Sequence, residues 1–380
     1  MSLFAEESII DFSGFSRVVV GVIDDKNVSY QGYDDSLSFA QNSLLGIQLE
    51  AKLNEQFSVT TQLLAHSSDT RDSGVEWLYL TFQPVNGLRF KAGRMRTPFF
   101  SYSDVLDVGY AYHWANPPQQ VYNAFLFDNY DGLNASYEIV ASEFSFELEA
   151  YTGKFDDEIS IGGTGKVAVE TEDFYGLALI FKSGNLKARV SSHLGSANFD
   201  IPSLQSFANI LRQANFQQSA DSLTTTGDVK AEQISISYDE LDYFLSSEYI
   251  RIRGDTLVVP RVDSYYFTAG YINYPFTYHA TFANNSTSYK DIVNEIPSGV
   301  APQVDALLYG YTAIYQGLPK DILKSLTLGV RWDFKVGMAL KVDVSHLQGE
   351  PGERSFFRID DPQSYDYKTN LVQVAWEWVF

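Results

Sequence analysis

The sequence predicts an all-β, membrane-spanning, antiparallel up-and-down barrel of about sixteen strands. Three observations predict it. Apolar and polar residues alternate with period two over segments of about ten residues, long enough to cross a bilayer at a tilt. Short turns alternate along the chain with long polar loops. The chain also runs out on NLVQVAWEWVF, Asn370 to Phe380, where a soluble protein usually frays into polar residues.

Composition supports this class and excludes others. The 380 residues include 27 Phe, 25 Tyr and 5 Trp, an aromatic load that favours strands. Mean hydropathy is −0.16, and no apolar run approaches the ~18–20 residues of a transmembrane helix. A helical membrane protein is therefore excluded. A barrel is not, because alternating strands average to the hydropathy of a soluble chain. With no cysteine, there is no disulfide framework and no thiolate metal site. That absence suits a chain that crosses an oxidising periplasm unfolded. A formal charge of −21 argues against nucleic acid as a partner. Clusters such as Asp24-Asp25, Asp34-Asp35, Asp156-Asp157-Glu158 and Asp360-Asp361 read as solvated loops. MSLFAEESII lacks the pattern of a signal peptide. Met1-Ser2-Leu3 reads as an added start ahead of a mature sequence, so the missing export signal carries no information on location.

The hairpins follow in order. Leu45, Ile47, Leu49, Ala51 and Leu53 oppose Gln48, Glu50 and Lys52; after a turn at Asn54-Glu55-Gln56, Phe57, Val59, Thr61 and Leu63 oppose Ser58, Thr60 and Gln62. Further turns fall at Pro84–Gly87, Ala141-Ser142, Ser183-Gly184-Asn185, Asp239-Glu240, Tyr274-Pro275 and Lys335-Val336-Gly337. Seven turns and two terminal strands give roughly sixteen strands, an even number as in bacterial barrels. To keep it even, Gln303–Gly317 is read as a helix within an outer loop. Ser203–Gln218 has the three/four spacing of an amphipathic helix in another.

Period two also assigns the faces. Arg17, Glu50, Lys52, Glu147, Glu149, Lys187, Arg189, Arg331, Asp333, Lys341 and Asp343 are expected to turn inward, since charge facing lipid near the midplane costs a few kcal/mol. Strict alternation conflicts around Gly93 and Glu248, which leaves Arg94, Arg96, Arg251 and Arg253 free to take either orientation, with a bulge as one resolution. On the last strand Val372, Val374, Trp376, Trp378 and Phe380 are expected to meet lipid, with Gln373 and Glu377 inside. Trp376, Trp378 and Phe380 then fall at the periplasmic interface.

The most distinctive stretch is FKAGRMRTPFFSYSDVLDVGYAYHWANPPQQVYNAF, Phe90 to Phe125. A strand bearing Lys91, Arg94 and Arg96 runs into an aromatic, proline-interrupted segment bearing Asp104 and Asp107. About thirty residues of such apolar content do not stay ordered in solvent, and long loops of this kind are packed or functional. Residues 96–125 are expected to fold back into the barrel and set Asp104 and Asp107 opposite a basic wall. Facing charges across a narrow lumen would orient dipolar solutes and bias ion selectivity.

Strand rhythm, this third outer loop, the LTLGVRWDF…MALKVDVSHL hairpin and the terminal AWEWVF together resemble a Gram-negative outer-membrane porin. The likeness covers nearly all of residues 1–380, as one domain, and is strongest over Gly93–Pro118 and the last sixty residues. It implies a sixteen-stranded barrel, usually a homotrimer, integral to a bacterial outer membrane, with the third loop as constriction and passive diffusion of small hydrophilic solutes. It also implies that Trp376, Trp378 and Phe380 belong to a signal read by the barrel-assembly machinery. No cofactor is expected beyond Ca or Mg ions bridging acidic outer loops to lipopolysaccharide. No charged triplet names a particular general porin.

Enzyme signals are scarce. GGTGK at Gly162–Lys166 lacks the earlier Gly and the following Ser/Thr of a phosphate loop. Five scattered histidines show no metal spacing, and His193 and His346 have no evident catalytic partner. The alternatives are a substrate-specific channel, for sugars along an aromatic track or for phosphate and other anions along a basic ladder, and a soluble β-rich binding protein.

Overall fold

In a computed structural model, residues 9–68, 71–123, 127–160, 166–359 and 365–380 are described. Met1-Ser2-Leu3, Asp360-Asp361 and most of GGTGK lie outside them.

Eighteen strands form. They are β1 (Ile10–Ile23), β2 (Val28–Tyr30), β3 (Leu44–Lys52), β4 (Phe57–His66), β5 (Gly74–Val85) and β6 (Leu88–Arg96). Next come β7 (Asn129–Val140), β8 (Ser145–Ser160), β9 (Lys166–Ser183), β10 (Leu186–Phe199), β11 (Thr226–Asp239) and β12 (Tyr243–Gly254). The last are β13 (Arg261–Asn273), β14 (Phe276–Ser288), β15 (Leu323–Lys335), β16 (Met338–Gly349), β17 (Phe357–Ile359) and β18 (Lys368–Val379). Sixteen of them close into one antiparallel barrel, and β2 and β17 make a small separate sheet. All seven expected tight turns join consecutive wall strands. Closure is made by β1 against β18, with Arg17 opposite Glu377 and Gly21 opposite Gln373. The terminal residue completes the seam: Gly14 N–H donates to the Phe380 carbonyl at 2.9 Å and Phe380 N–H to the Gly14 carbonyl at 3.0 Å. Among the described residues the sixteen-stranded wall leaves no strand edge open, as backbone in lipid requires.

The two faces of the wall differ as the alternation demands. Outward positions carry exposed large apolar side chains, such as Leu133, Leu148, Leu177, Ile234, Phe267, Leu328 and Val344. Near the short turns the outward rings cluster. Phe57 stacks on Phe82 at 4.6 Å, Phe276 on Trp332 at 6.0 Å, and Trp378 lies 4.5 Å from Phe380. Farther along, the outward series turns polar at Lys154, Glu232, Arg251, Asp263 and Asn284. Eight to ten residues separate turn from polar onset, which at ~3.3 Å rise and ~40° tilt makes an apolar belt about 25 Å tall. Such a belt suits hydrocarbon and is too large for a surface bathed in water.

The long loops fold on their own small cores. β2 and β17 pack with Ile23, Tyr33, Tyr365 and Leu371. Four helices occur among the described residues: α1 (Gln119–Tyr122), α2 (Pro202–Gln213), α3 (Gln217–Asp221) and α4 (Pro302–Gln316). Ala208, Leu211, Ala220 and Tyr311 bring α2, α3 and α4 together. Helix α4 matches the expected Gln303–Gly317. The single helix expected over Ser203–Gln218 is instead two. Asn215 takes φ 65° and Phe216 N–H donates to the Leu211 carbonyl at 2.9 Å, closing α2 in a left-handed cap before α3 starts.

A candidate pore site: the segment after β6 and the charged wall

β6 delivers the chain to the site. Gly93 sits at φ 134°, and a Cβ there would collide with the Leu78 carbonyl oxygen, so only glycine passes. Pairing stays in register through it, with Tyr79 opposite Gly93 and Leu78 opposite Arg94, and no bulge intervenes at that point. Arg94, whose orientation the alternation left open, therefore shares the register of outward Leu78 and donates to Asn129 Oδ1 at 2.9 Å. β12 also keeps its register. Arg251 and Arg253 fall on the outward series and pair with Asp263, Arg253 Nη2 lying 2.6 Å from its carboxylate.

At the root of the following segment is an ion-pair cluster. Arg71 Nη1 and Arg96 Nη1 donate to the two oxygens of Asp107 at 2.6 and 2.7 Å, and both arginines reach Glu76 Oε1 at 2.9 and 2.8 Å. Burial alone would raise the pKa of Asp107, but Arg96 and Arg71 outweigh it and hold the carboxyl well below the usual carboxylate range. Asp107 is thus tied to its own loop root and to Arg71 in the preceding outer loop.

Among the described residues from Thr97 to Phe127 the chain has only single 3-10 turns at Ser103–Val105 and Gly109–Ala111 and the one turn of α1. Prolines 98, 117 and 118 bar longer helices. Most of its backbone carbonyls consequently have no helical partner, and buried carbonyls need one. The wall supplies it. Lys341 Nζ donates to the carbonyls of Gly109 at 2.6 Å and Trp114 at 2.7 Å. Arg331 Nη1 donates to those of Tyr110 at 2.8 Å and Tyr112 at 2.9 Å. Arg189 serves Pro98 and Phe99, and Arg17 serves Ala115 and the Tyr112 hydroxyl. Acids meet the donors: Ala115 N–H reaches Asp343 at 2.9 Å, and Glu248 accepts from Ser101 N–H at 2.9 Å and the Tyr122 hydroxyl at 2.6 Å. Glu377 lies 3.5 Å from Arg17 and 3.6 Å from Lys341. Gly109 has no room for a Cβ against the Glu377 carboxylate, so a glycine brings that backbone to the wall.

Aromatic packing completes the attachment. Trp114 is 1% exposed, donates to Thr281 Oγ1 at 2.8 Å and stands edge-on to Tyr266 at 5.5 Å. Phe99 meets His193 at 4.9 Å, and Phe127 stacks on Phe155 at 4.7 Å. Phe174 of β9 packs on both Phe99 and Phe127, so the segment touches inward positions of β1, β8–β16 and β18.

The remaining sequence-predicted residues sit elsewhere on the wall. Lys91 is half-buried with its ammonium 4.9 Å from the Tyr79 ring. Glu149 accepts from Asn134 Nδ2 at 2.8 Å and lies within Coulombic reach of Asp104 and Lys91. Asp104 and Lys187 are exposed, Glu50 and Glu147 half-buried. Lys52 pairs with Asp11 at 2.9 Å toward the turn end, and Arg331 with Asp333 at 2.8 Å. Trp376, Trp378 and Phe380 share the outward face of β18. Sequence reasoning passed over Arg71, Gln233 and Glu248. The signal for Glu248 was obscured because its face also carries Phe244, Ile250 and Ile252.

No family model matches the sequence, and no curated relative matches it. Solved structures do. An outer membrane protein of Vibrio cholerae, OmpT in trimer form, aligns over 98% of this chain and 99% of its own at 12% identity, TM-score 0.55. Salmonella typhi OmpF in complex with daunomycin aligns over 98% and 97% at 12% identity, TM-score 0.55. An anion-selective porin from Comamonas acidovorans aligns over 98% and 99% at 14% identity, TM-score 0.54. The fold is that of the outer-membrane porins. At these identities the likeness shows the fold alone and assigns no solute.

Proposed function

We propose that this protein is a passive diffusion channel for small hydrophilic solutes and ions, integral to a bacterial outer membrane, and not an enzyme. The third outer segment lies inside the barrel and narrows it. One observation carries the reading: a single segment donates to or accepts from inward side chains on strands around most of a closed ring whose outer surface is an apolar belt. A chain that reaches so many strands of one ring has its shortest route through the interior. What the segment leaves uncovered along β3–β7 is a polar wall of Gln48, Thr81, Asn134, Ser136 and the nearby charges.

The functional unit is a homotrimer, a reading supported by the trimer form of a structural neighbour. Outer-leaflet lipopolysaccharide surrounds it, with divalent cations bridging acidic outer loops, and the barrel-assembly machinery reads the Trp376–Phe380 end. A phosphate-specific channel would need a ladder of accessible arginines and lysines. Arg17, Arg189 and Lys341 are buried beneath the segment, which favours general diffusion.

The test is conductance of the refolded protein in a planar bilayer. Stepwise ohmic openings are expected. A folded protein that never conducts, or one that stays soluble and monomeric without detergent, would overturn the proposal.

A further inference from the structure

We infer that the path conducts cations in preference to anions, because the segment from Thr97 to Phe127 covers the basic groups of the wall and leaves an acidic excess uncovered. This rests on the channel reading above, whose structural relatives include an anion-selective porin, so the fold leaves the sign of selectivity open.

A charge biases permeation only if its field reaches the ions in the path. Arg17 and Arg189 are each 4% exposed and Lys341 is 0% exposed, with their N–H groups turned onto segment carbonyls. Arg331 is bound the same way. Glu248, Asp343 and Glu377, buried in this layer, and the half-buried Asp333 that pairs with Arg331 carry equal and opposite formal charge to those four bases. Paired, carbonyl-bonded and covered, the layer contributes little net field.

Selectivity therefore falls to the uncovered inner wall. At mid-height this presents Glu50 and Glu149, together with Asp104 on the segment, against Lys91. Toward the turn end Arg89, Lys182 and Lys187 are matched by Glu138, Glu147 and Asp239, and Lys52 by Asp11. The surplus is negative. Asp104 is exposed and makes no ion pair among the described residues, and Glu149 stands within Coulombic reach of it, with Arg189 and Lys91 the opposing bases and Lys91 the one left uncovered. In a narrow low-dielectric tube such a surplus concentrates counter-ions over about 8 Å at physiological salt. Asp104 and Glu149 are the residues that set the preference, and Lys91 limits it.

The test is the reversal potential of the full-length refolded protein under a KCl gradient. Wild type should favour potassium over chloride. Asp104→Asn with Glu149→Gln should lower the permeability ratio by roughly twofold or more, whereas Lys91→Gln should raise it. Since Asp104 is exposed, Asp104→Asn alone serves if the double variant folds poorly, and it should move the ratio in the same direction. Open channels that prefer chloride, or a ratio unchanged by these substitutions, overturn this inference and leave the channel reading intact. Folded protein that gives no conductance overturns the channel reading and this inference with it.

Discussion

Lys341 Nζ lies 2.6 Å from the carbonyl oxygen of Gly109, a residue 232 positions earlier in the chain. The same ammonium holds the Trp114 carbonyl and lies 3.6 Å from Glu377. A wall lysine is thus a backbone clamp. Lys341→Met keeps the volume and removes the clamp, leaving two buried carbonyls short of a donor. Losing one partner of a buried charge network costs about 3–5 kcal/mol. We expect lower resistance to urea in detergent and, in bilayers, noisier and larger openings as the segment loosens. A quiet channel of wild-type conductance would show that the segment does not need this anchor.

Asp107 makes the root of the segment sensitive to acid. Its carboxyl is depressed below the unfolded value by Arg96 and Arg71. A depressed carboxyl stabilises the fold fully above its unfolded value of about 3.9 and loses that contribution as pH falls toward the folded value. Between pH 5 and 8 the cluster should hold, and below about pH 4 it should weaken. Hydrogen exchange at residues 71–76 and 103–108 should rise in acid for wild type. In Asp107→Asn it should be high at pH 7 and change little with acid.

The outward and inward faces can be told apart by arginine substitution. Leu177 is on the exposed apolar face of β9, and Leu177→Arg should cost about 2–4 kcal/mol of folding into lipid vesicles. Ser136→Arg, on the polar inner face, should cost far less. Equal costs would mean the faces are wrongly assigned.

Gly93 is fixed by backbone. Gly93→Ala places a Cβ against the Leu78 carbonyl at a φ that L-residues rarely take. The expected penalty is about 1–3 kcal/mol, visible as a lower folding yield and an earlier urea transition.

The seam separates ring from backbone. Phe380→Ala removes the contact with Trp378 at 4.5 Å, worth about 0.5–1.5 kcal/mol beyond its burial, but keeps both hydrogen bonds to Gly14. Deleting Phe380 removes both. Folding into vesicles should slow more for the deletion than for the substitution; the reverse order would make the ring dominant.

The wall strands, their turns and the apolar outward sides of β18 and β3 were legible in the sequence because they are local. Period two reports which side of a strand avoids water, and a turn is written in a few adjacent residues. Gly93 shows the limit of that reading. Its conflict suggested a bulge, whereas the structure keeps register and accommodates the close approach with a glycine backbone. The split between α2 and α3 was likewise hidden, since Asn215 adopts a cap inside a pattern that otherwise continues.

By itself the sequence determined a closed wall of alternating strands, an inward set of charges and a terminal aromatic face. Tertiary structure alone decided what those charges do. Arg17, Arg189 and Lys341 look like free wall charges when read in their own strands, yet each binds carbonyls of a segment about 90 to 230 residues away. Glu248 lay hidden among Phe244, Ile250 and Ile252 because an apolar inner face makes sense only once the aromatics of that segment cover it. Periodicity records burial along a strand. Which distant backbone does the burying depends on the path of an irregular loop, and no local pattern encodes that path.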